Sequence, residues 1–207
     1  MGRRVVILGS TGSIGVQALD VVARSGDELE VVGLSALSDV ALLTKQASEF
    51  GVKRIALADG DSAARAAELW TDGEVLSGPE GLVSLVTESG CDIVLNAIVG
   101  SAGLLATIAT LGEGIDLALA NKESLVVGGE LVNQLAEATG AQIIPVDSEH
   151  SALHQLIAGG TGGNGRQAGC DGVGRPVPWA QGSGSASRHD RAGSGASDLG
   201  NGRQDHD

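Results

Sequence analysis

The segment from Val5 to Gly15, VVILGSTGSIG, constrains the fold more than any other part of this chain. Four apolar residues run into three glycines spaced G-x-x-G-x-x-G, and apolar residues then recur at helical spacing from Ile14 to Val22. The pattern predicts a strand, a tight turn and a helix. Backbone without a Cβ can approach a pyrophosphate closely, and the first-turn N–H groups of the helix point at the anion. The segment therefore predicts a dinucleotide site, with a tight turn at a buried strand–helix junction as the alternative.

The composition excludes several classes of partner. The chain has 207 residues with 13 basic and 26 acidic side chains, and its formal net charge of −13 argues against nucleic acid or an anionic membrane as a partner. No window approaches the roughly 20 apolar residues of a membrane span, and the amino terminus has no signal-peptide pattern. The spacing of Cys91 and Cys170 matches neither a metal site nor a disulfide framework, and we expect Cys91 to be a small residue of the core. We expect a cytoplasmic protein.

The chain changes character near residue 159. Residues 159–207 contain 14 glycines, one leucine and two valines, with no isoleucine, phenylalanine or methionine. Such a segment buries too little apolar surface to offset the entropy of ordering. The composition therefore predicts a disordered tail.

Before residue 159, short apolar runs alternate with amphipathic runs, which predicts an α/β fold with a Rossmann-like, doubly wound parallel sheet. The predicted strands are 5–8, 29–34, 54–57, 75–76, 92–97, 115–119 and 142–145. The predicted helices are 14–24, 40–50, 62–70, 78–88, 104–111 and 129–139. Ligands of such sheets gather at the carboxyl ends of the strands, so the residues after each apolar run carry the functional information.

The segment after the second predicted strand bears on the choice between NAD and NADP. An NAD site places a carboxylate there for the ribose, but the strand ends Leu34-Ser-Ala-Leu-Ser38, and the nearest carboxylate is Asp39. This favours NADP, because a carboxylate would repel the 2′-phosphate. No arginine or lysine stands there either, so both cofactors stay open at this point.

Two later strand ends carry small or polar residues. The segment Asn96–Gly103 could admit a nicotinamide or ribose, or could be a helix start with glycines for close packing. Lys122 could hold an anion as a point charge, and Asn121 and Glu123 could bond ribose hydroxyls. The alternative is a solvated turn in which Lys122 pairs with Glu123.

After the last predicted strand, Asp147 and Glu149 present two oxygen ligands with one residue between them. On an extended segment they point the same way and could share Mg²⁺ or Mn²⁺, with Ser148 donating to a phosphate or hydroxyl. The alternative is an N-cap that opens a helix over 152–157. His150 and His154 form no recognised zinc pattern.

Taken together, Gly9–Gly15, Asn96–Gly103, Leu119–Leu125 and Pro145–His150 resemble 1-deoxy-D-xylulose 5-phosphate reductoisomerases. The resemblance covers residues 3–158. It implies NADPH and a divalent metal, Mg²⁺ or Mn²⁺, as cofactors and a small phosphorylated sugar as substrate. The reaction is reduction and rearrangement to 2-C-methyl-D-erythritol 4-phosphate in non-mevalonate isoprenoid synthesis. The family also implies a homodimer.

The resemblance assigns roles to the residues already singled out. NADPH is held at the glycine-rich turn by Gly9, Thr11, Gly12, Ser13 and Ile14. At its nicotinamide end it is held by Asn121 and Glu123, which follow the predicted strand 115–119. Asp147 and Glu149 bind the metal. Lys122 and Glu149 are catalytic, and Lys122, Ser148 and Glu149 contact substrate.

The chain departs from the family in two places. The family usually has Gly with Lys, Arg or Asn after the second strand, where this chain reads Ala36-Leu-Ser-Asp39. Similarity also stops near Ala158, so we expect an inactive fragment: an NADP-binding domain at 1–125, the start of a catalytic domain at 126–158 and an unrelated tail at 159–207. A shifted reading frame would explain that tail.

Two other functions stay open from the sequence. A non-catalytic NAD(P)-binding module would keep Gly9–Gly15 without needing paired carboxylates. A semialdehyde-type dehydrogenase would need a catalytic cysteine near the cofactor, and Cys91 precedes its strand instead of following it.

Overall fold

A computed structural model of the chain describes residues 2–120 and 122–146, without the side chains at 122, 123, 125 and 126. The strands are β1 (Arg3–Leu8), β2 (Leu29–Ala36), β3 (Arg54–Leu57), β4 (Glu74–Ser77), β5 (Ile93–Asn96), β6 (Asp116–Leu119) and β7 (Ile143–Pro145). The helices are α1 (Ser13–Arg24), α2 (Val40–Glu49), α3 (Gly60–Leu69), α4 (Gly78–Glu88), α5 (Leu104–Gly112) and α6 (Lys122–Thr139). Short 3₁₀ turns cover Gly26–Glu28 and Gly100–Gly103.

All seven strands form one parallel sheet in the order β4-β3-β2-β1-β5-β6-β7. The chain runs outward from β1 to β4 and then returns to place β5 on the other side of β1. This reversal makes a crevice at the carboxyl ends of β1 and β5, where doubly wound sheets bind ligands. The predicted fold class is confirmed.

The two faces of β1 explain why the sheet is covered on both sides. Val5 and Ile7 belong to one buried cluster, whereas Val6 and Leu8 belong to the other, because successive side chains of a strand point to opposite faces. The first cluster contains the apolar faces of α1, α2 and α3. The second contains those of α4, α5 and α6. A fully apolar strand such as β1 fits only between two helical layers.

The observed boundaries differ from the predicted ones at two places that matter for the site. Strand β2 runs to Ala36, two residues beyond the predicted end, because Ser35 and Ala36 still pair with β3. Helix α6 begins at Lys122 instead of residue 129, and Gly129 breaks it with φ 43° and ψ −122°. The predicted helix is therefore only the second part of α6, and its glycine marks a kink.

None of the described helices is long and apolar enough to cross a membrane. Strand β7 pairs with β6 and so continues the same sheet beyond residue 125. The predicted tail at 159–207 lies outside the described residues.

Candidate functional site

The segments that follow β1, β5, β6 and β7 begin at one edge of the sheet. Leu8 lies opposite Asn96, Asn96 opposite Leu119, and Leu119 opposite Pro145. The main chain extends this alignment one residue further, since Ala120 N–H donates to Asn96 O at 3.0 Å. With strands about 4.8 Å apart, the ends of β1 and β7 are about 14 Å apart. The loops predicted to carry the site therefore leave the sheet side by side.

Several predicted site residues lie outside what the structure describes. These are Asn121 and the segment 147–150, together with the side chains of Lys122 and Glu123. Their main-chain neighbours Ala120 and Val146 are described and stand at the carboxyl edge, after β6 and β7. The roles of these residues remain predictions.

Two of the three motif glycines are required by the fold. Gly9 has φ +80°, and a Cβ there would lie 2.9 Å from the Ala97 carbonyl oxygen. A Cβ on Gly15 would overlap Gly9 O and lie 2.7 Å from the Ser10 carbonyl carbon. Gly15 thus lets α1 rest directly on the turn that precedes it, and Gly9 lets that turn pass close to the segment after β5.

Gly12 has no comparable packing reason. Its φ of −77° and ψ of 168° are open to any residue, and the sole close neighbour of a Cβ would be Gly9 O at 3.3 Å. The residue is exposed at the N-cap of α1. The missing side chain therefore leaves space on the solvent side of the turn, where a ligand can approach the backbone.

The start of α1 offers its N–H groups toward that space. No side chain caps α1, whereas Asp39 caps α2 by accepting from Leu42 N–H at 3.0 Å and Asp59 caps α3 by accepting from Ser62 N–H at 2.9 Å. The hydrogen bonds with Ser62 hold the pKa of the Asp59 carboxyl below its usual range. The first turn of a helix carries partial positive charge, so α1 presents an anion site at the crevice.

The turn itself is held by β2. Gly9 N–H and Ser10 N–H donate to Ser35 O at 3.0 and 2.8 Å, and Ser35 Oγ lies 3.2 Å from Gly9 N. Ser10 Oγ also reaches the side chain of Gln46 in α2, at 2.7 Å. These roles of Ser35 and Gln46 were not predicted, because the burial of a single polar residue in a strand or helix cannot be inferred from the neighbouring residues in the sequence.

Asn96 shapes the segment after β5. Its fully buried amide Nδ2 donates to Gly103 O at 2.9 Å and to Thr107 Oγ1 at 3.0 Å, and its Oδ1 accepts from Ile98 N–H at 3.2 Å. This side chain braces a loop of small residues beside Gly9. A helix does begin here, since α5 starts at Leu104. A Cβ on Gly100 would meet no atom within 4 Å, so this glycine is not required for close packing.

The end of β2 differs from the sequence-based expectation in one respect. Because β2 reaches Ala36, Asp39 stands three residues past the strand end, not five. The Asp39 carboxylate is exposed and caps α2 by accepting a hydrogen bond from Leu42 N–H. Leu37, between the end of β2 and Asp39, is 70% exposed. A negative charge therefore lies at the part of the edge where an adenine ribose is bound in doubly wound sheets.

Cys91 is a core residue at the opposite edge, as predicted. It precedes β5, is 7% exposed, and its Sγ lies 3.7 Å from Val86 O. Burial raises the pKa of the Cys91 thiol, which disfavours the nucleophilic thiolate. Among residues 2–120 and 122–146, no thiol stands at the carboxyl edge of the sheet.

In the described part of the chain, no group of three or more His, Cys, Asp or Glu residues could hold a metal ion. The predicted metal ligands Asp147 and Glu149 lie beyond that part.

Comparison with known proteins identifies relatives of one family. Residues 5–129 match the sequence profile of 1-deoxy-D-xylulose 5-phosphate reductoisomerase. The reductoisomerase of Mycobacterium avium (strain 104) is 52% identical over 160 residues, which cover 77% of this chain and 38% of that protein. The chain thus spans less than two fifths of the length of this curated relative.

Solved structures agree with this result. The Zymomonas mobilis reductoisomerase in complex with NADPH is 38% identical with a TM-score of 0.68, covering 75% of this chain and 41% of that one. A reductoisomerase complex with NADPH, fosmidomycin and magnesium is 39% identical with a TM-score of 0.68, covering 74% and 38%.

Two of the three motif glycines should have different effects on stability when they are replaced. Gly15→Ala should lower the free energy of unfolding by about 1–3 kcal/mol, because its methyl group overlaps the turn backbone. Gly12→Ala should change it by less than about 0.5 kcal/mol, because the methyl group is exposed and meets a single neighbour, Gly9 O at 3.3 Å. Urea denaturation of the two variants checks this. Equal losses would contradict the assignment of Gly15 to packing and Gly12 to ligand approach.

Proposed function

Because this chain belongs to the 1-deoxy-D-xylulose 5-phosphate reductoisomerase family, we propose that it forms the NADPH-binding part of that enzyme. The proposed reaction reduces and rearranges 1-deoxy-D-xylulose 5-phosphate to 2-C-methyl-D-erythritol 4-phosphate in non-mevalonate isoprenoid synthesis. The observation that supports this proposal most directly is the uncapped start of α1 beside the exposed Gly12, within the segment that matches the family. An anionic pyrophosphate fits this cradle of N–H groups.

The topology suggests where each part of NADPH lies. The pyrophosphate binds over Thr11–Ile14, with the N–H groups and the Thr11 and Ser13 hydroxyls as donors. The adenosine half extends toward β2 and β3, and the nicotinamide half toward β5 and β6, because the strand order reverses at β1. On this basis Asn121 and Glu123, which follow β6 in sequence, contact the nicotinamide end.

The substrate and the metal belong to the β6 and β7 end of the edge. We assign Lys122 and Ser148 to the phosphorylated substrate, and Asp147 and Glu149 to Mg²⁺ or Mn²⁺, with Glu149 also reaching substrate. When bound, the metal polarises the substrate carbonyl as a Lewis acid. Oxygen ligands suit these hard cations. The chain's own contribution is to orient the carbonyl carbon toward the nicotinamide and to fix the substrate's phosphate by charge.

The setting of the protein is proposed on the same family basis. We place it in the cytoplasm without a nucleic-acid partner, in agreement with its formal net charge of −13, and we expect the homodimer in full-length members of the family. We also propose that residues 1–125 make up the NADP-binding domain and that residues 126–158 begin the catalytic domain, whose first part still shares the sheet through β7.

The central test is NADPH binding by the 207-residue chain. Titration followed by nucleotide fluorescence should detect binding, and Gly12→Ala should weaken it at least tenfold, because its methyl group occupies the path of the pyrophosphate. Gly112→Ala is the matched control, since it adds the same methyl group at the end of α5, where a Cβ meets open space. An unchanged NADPH affinity in Gly12→Ala would contradict the placement of the pyrophosphate.

The metal half of the proposal has its own test. Electron paramagnetic resonance of free Mn²⁺ should show binding that Asp147→Asn weakens about tenfold or more, because one of two carboxylate ligands is lost. Asp27→Asn is the control for diffuse attraction by an acidic surface, since Asp27 is exposed before β2 at the opposite edge. NADPH binding with no Asp147-dependent Mn²⁺ binding would favour a non-catalytic nucleotide-binding module.

The negative charge of Asp39 should limit the preference of this site for NADPH over NADH. Its carboxylate at the end of β2 repels a 2′-phosphate, so Asp39→Asn should raise NADPH affinity relative to NADH by about three- to tenfold. Asparagine caps a helix as well as aspartate does, so α2 should keep its start. Asp59→Asn, the same exchange at the cap of α3, is the control. A ratio that is unchanged in Asp39→Asn would place the 2′-phosphate elsewhere.

A further inference from the structure

A single side chain of α2 is joined to the glycine-rich turn by two hydrogen bonds that run in opposite directions. Gln46 Nε2 donates to Ser10 O at 3.0 Å, and Ser10 Oγ donates to Gln46 Oε1 at 2.7 Å. Gln46 is 6% exposed and Ser10 is fully buried. The two residues are 36 positions apart, so this pair exists only in the folded chain.

The chemistry of the pair determines the orientation of the amide. A carbonyl oxygen only accepts hydrogen bonds, so the group facing Ser10 O must be the amide nitrogen of Gln46. The amide oxygen then faces the Ser10 hydroxyl. Ser10 N–H donates to Ser35 O at 2.8 Å on the other side. The main chain of Ser10 is therefore bound through its N–H by β2 and through its carbonyl by α2.

Holding the Ser10 carbonyl has a consequence for the next residue. Ser10 O and Thr11 N–H belong to one peptide unit, which is planar and trans, so the two groups point in opposite directions. Because Ser10 O points at the buried Gln46 side chain, Thr11 N–H points away from α2. Gly12 and Ser13, which follow, are exposed. Gln46 thus sets the direction of the first N–H group of the segment that faces solvent.

We propose that Gln46 is a positioning residue of the dinucleotide site, which turns the Ser10–Thr11 peptide so that Thr11 N–H faces the pyrophosphate. This inference rests on the proposed function, since it requires a phosphorylated coenzyme at the turn. Gln46 makes no contact with the coenzyme itself. Its effect passes through the Ser10 carbonyl, and it ties coenzyme binding to the placement of α2.

A purely structural role for Gln46 gives a different expectation. The side chain would then only satisfy the buried polar groups of Ser10, and its loss would lower the free energy of unfolding. Coenzyme affinity measured well below the melting temperature would stay unchanged. A positioning role lowers affinity in the fully folded protein, because the free turn samples other orientations and must be ordered on binding.

The main experiment is NADPH titration of Gln46→Met in the 207-residue chain at a temperature where circular dichroism shows all variants folded. Methionine matches glutamine in length and volume and forms neither hydrogen bond. We expect the NADPH dissociation constant to rise about tenfold. Gln134→Met makes the same exchange on the exposed face of α6, where Gln134 contacts only Glu130 by hydrogen bond among the described residues, and should leave it unchanged.

A second control separates affinity from stability. Ile55→Val removes one methyl group from a fully buried side chain of β3, against which α2 packs, and should lower stability without touching the turn. Its NADPH affinity should equal that of the unmodified chain. If affinity falls in Ile55→Val as it does in Gln46→Met, the effect follows stability and the positioning role is overturned.

Two further variants divide the pair into its two hydrogen bonds. Ser10→Ala removes the hydroxyl bond and keeps the carbonyl bond, so it should raise the dissociation constant less than threefold. In Gln46→Glu, an ionised carboxylate still accepts from the Ser10 hydroxyl but has no donor for Ser10 O. This variant should therefore raise the NADPH dissociation constant at least as much as Gln46→Met. Gln46→Glu also decides the question if Gln46→Met does not fold. Normal NADPH affinity in Gln46→Glu, at a pH where the new carboxyl is ionised, would overturn the inference.

The results distinguish failure of this inference from failure of the proposed function. If the unmodified chain does not bind NADPH, both are overturned. If the unmodified chain binds and Gly12→Ala does not, while Gln46→Met and Gln46→Glu bind normally, the function stands and the inference is overturned.

Discussion

The close contact between Gly15 and the backbone of Gly9 and Ser10 is the constraint on which the site depends. Without a Cβ at Gly15, the first turn of α1 rests on the turn that precedes it. This contact brings the positive end of the helix to the crevice between β1 and β5. The hydrogen bonds that Gly9 and Ser10 donate to Ser35, and the approach to Ala97, then hold the same turn against its neighbours on both sides.

Much of the fold was predictable because its signals are local. Continuous apolar strands and amphipathic helices each follow from a few adjacent residues, and β3 and α4 have the predicted bounds. The predicted end of β2 was wrong because Ser35 and Ala36 extend the strand by pairing with β3. The intrinsic propensity of a residue does not report such pairing. The helix predicted at 129–139 is present as the part of α6 after the kink at Gly129, but the first part of α6, from Lys122 to the kink, was not predicted.

The candidate site was predictable to the extent that its chemistry lies in contiguous motifs. The glycine spacing located the turn, but it could not assign separate reasons to Gly9, Gly12 and Gly15, because these depend on distant backbone. Gln46 was invisible for the same reason, since a glutamine in a helix is usually solvated. Its burial against Ser10 is a tertiary contact across 36 residues.

Helix α2 carries Asp39 at its start and, near its end, Gln46, whose side chain is hydrogen-bonded to Ser10 of the glycine-rich turn. A change in the length of the segment between β2 and α2 would alter the position of this helix. Under the proposed positioning role of Gln46, such a graft would also change the turn that binds the pyrophosphate. Redesign of cofactor preference in this protein therefore requires that the helix axis be preserved, and substitutions confined to side chains at the β2 end should succeed where loop insertions fail.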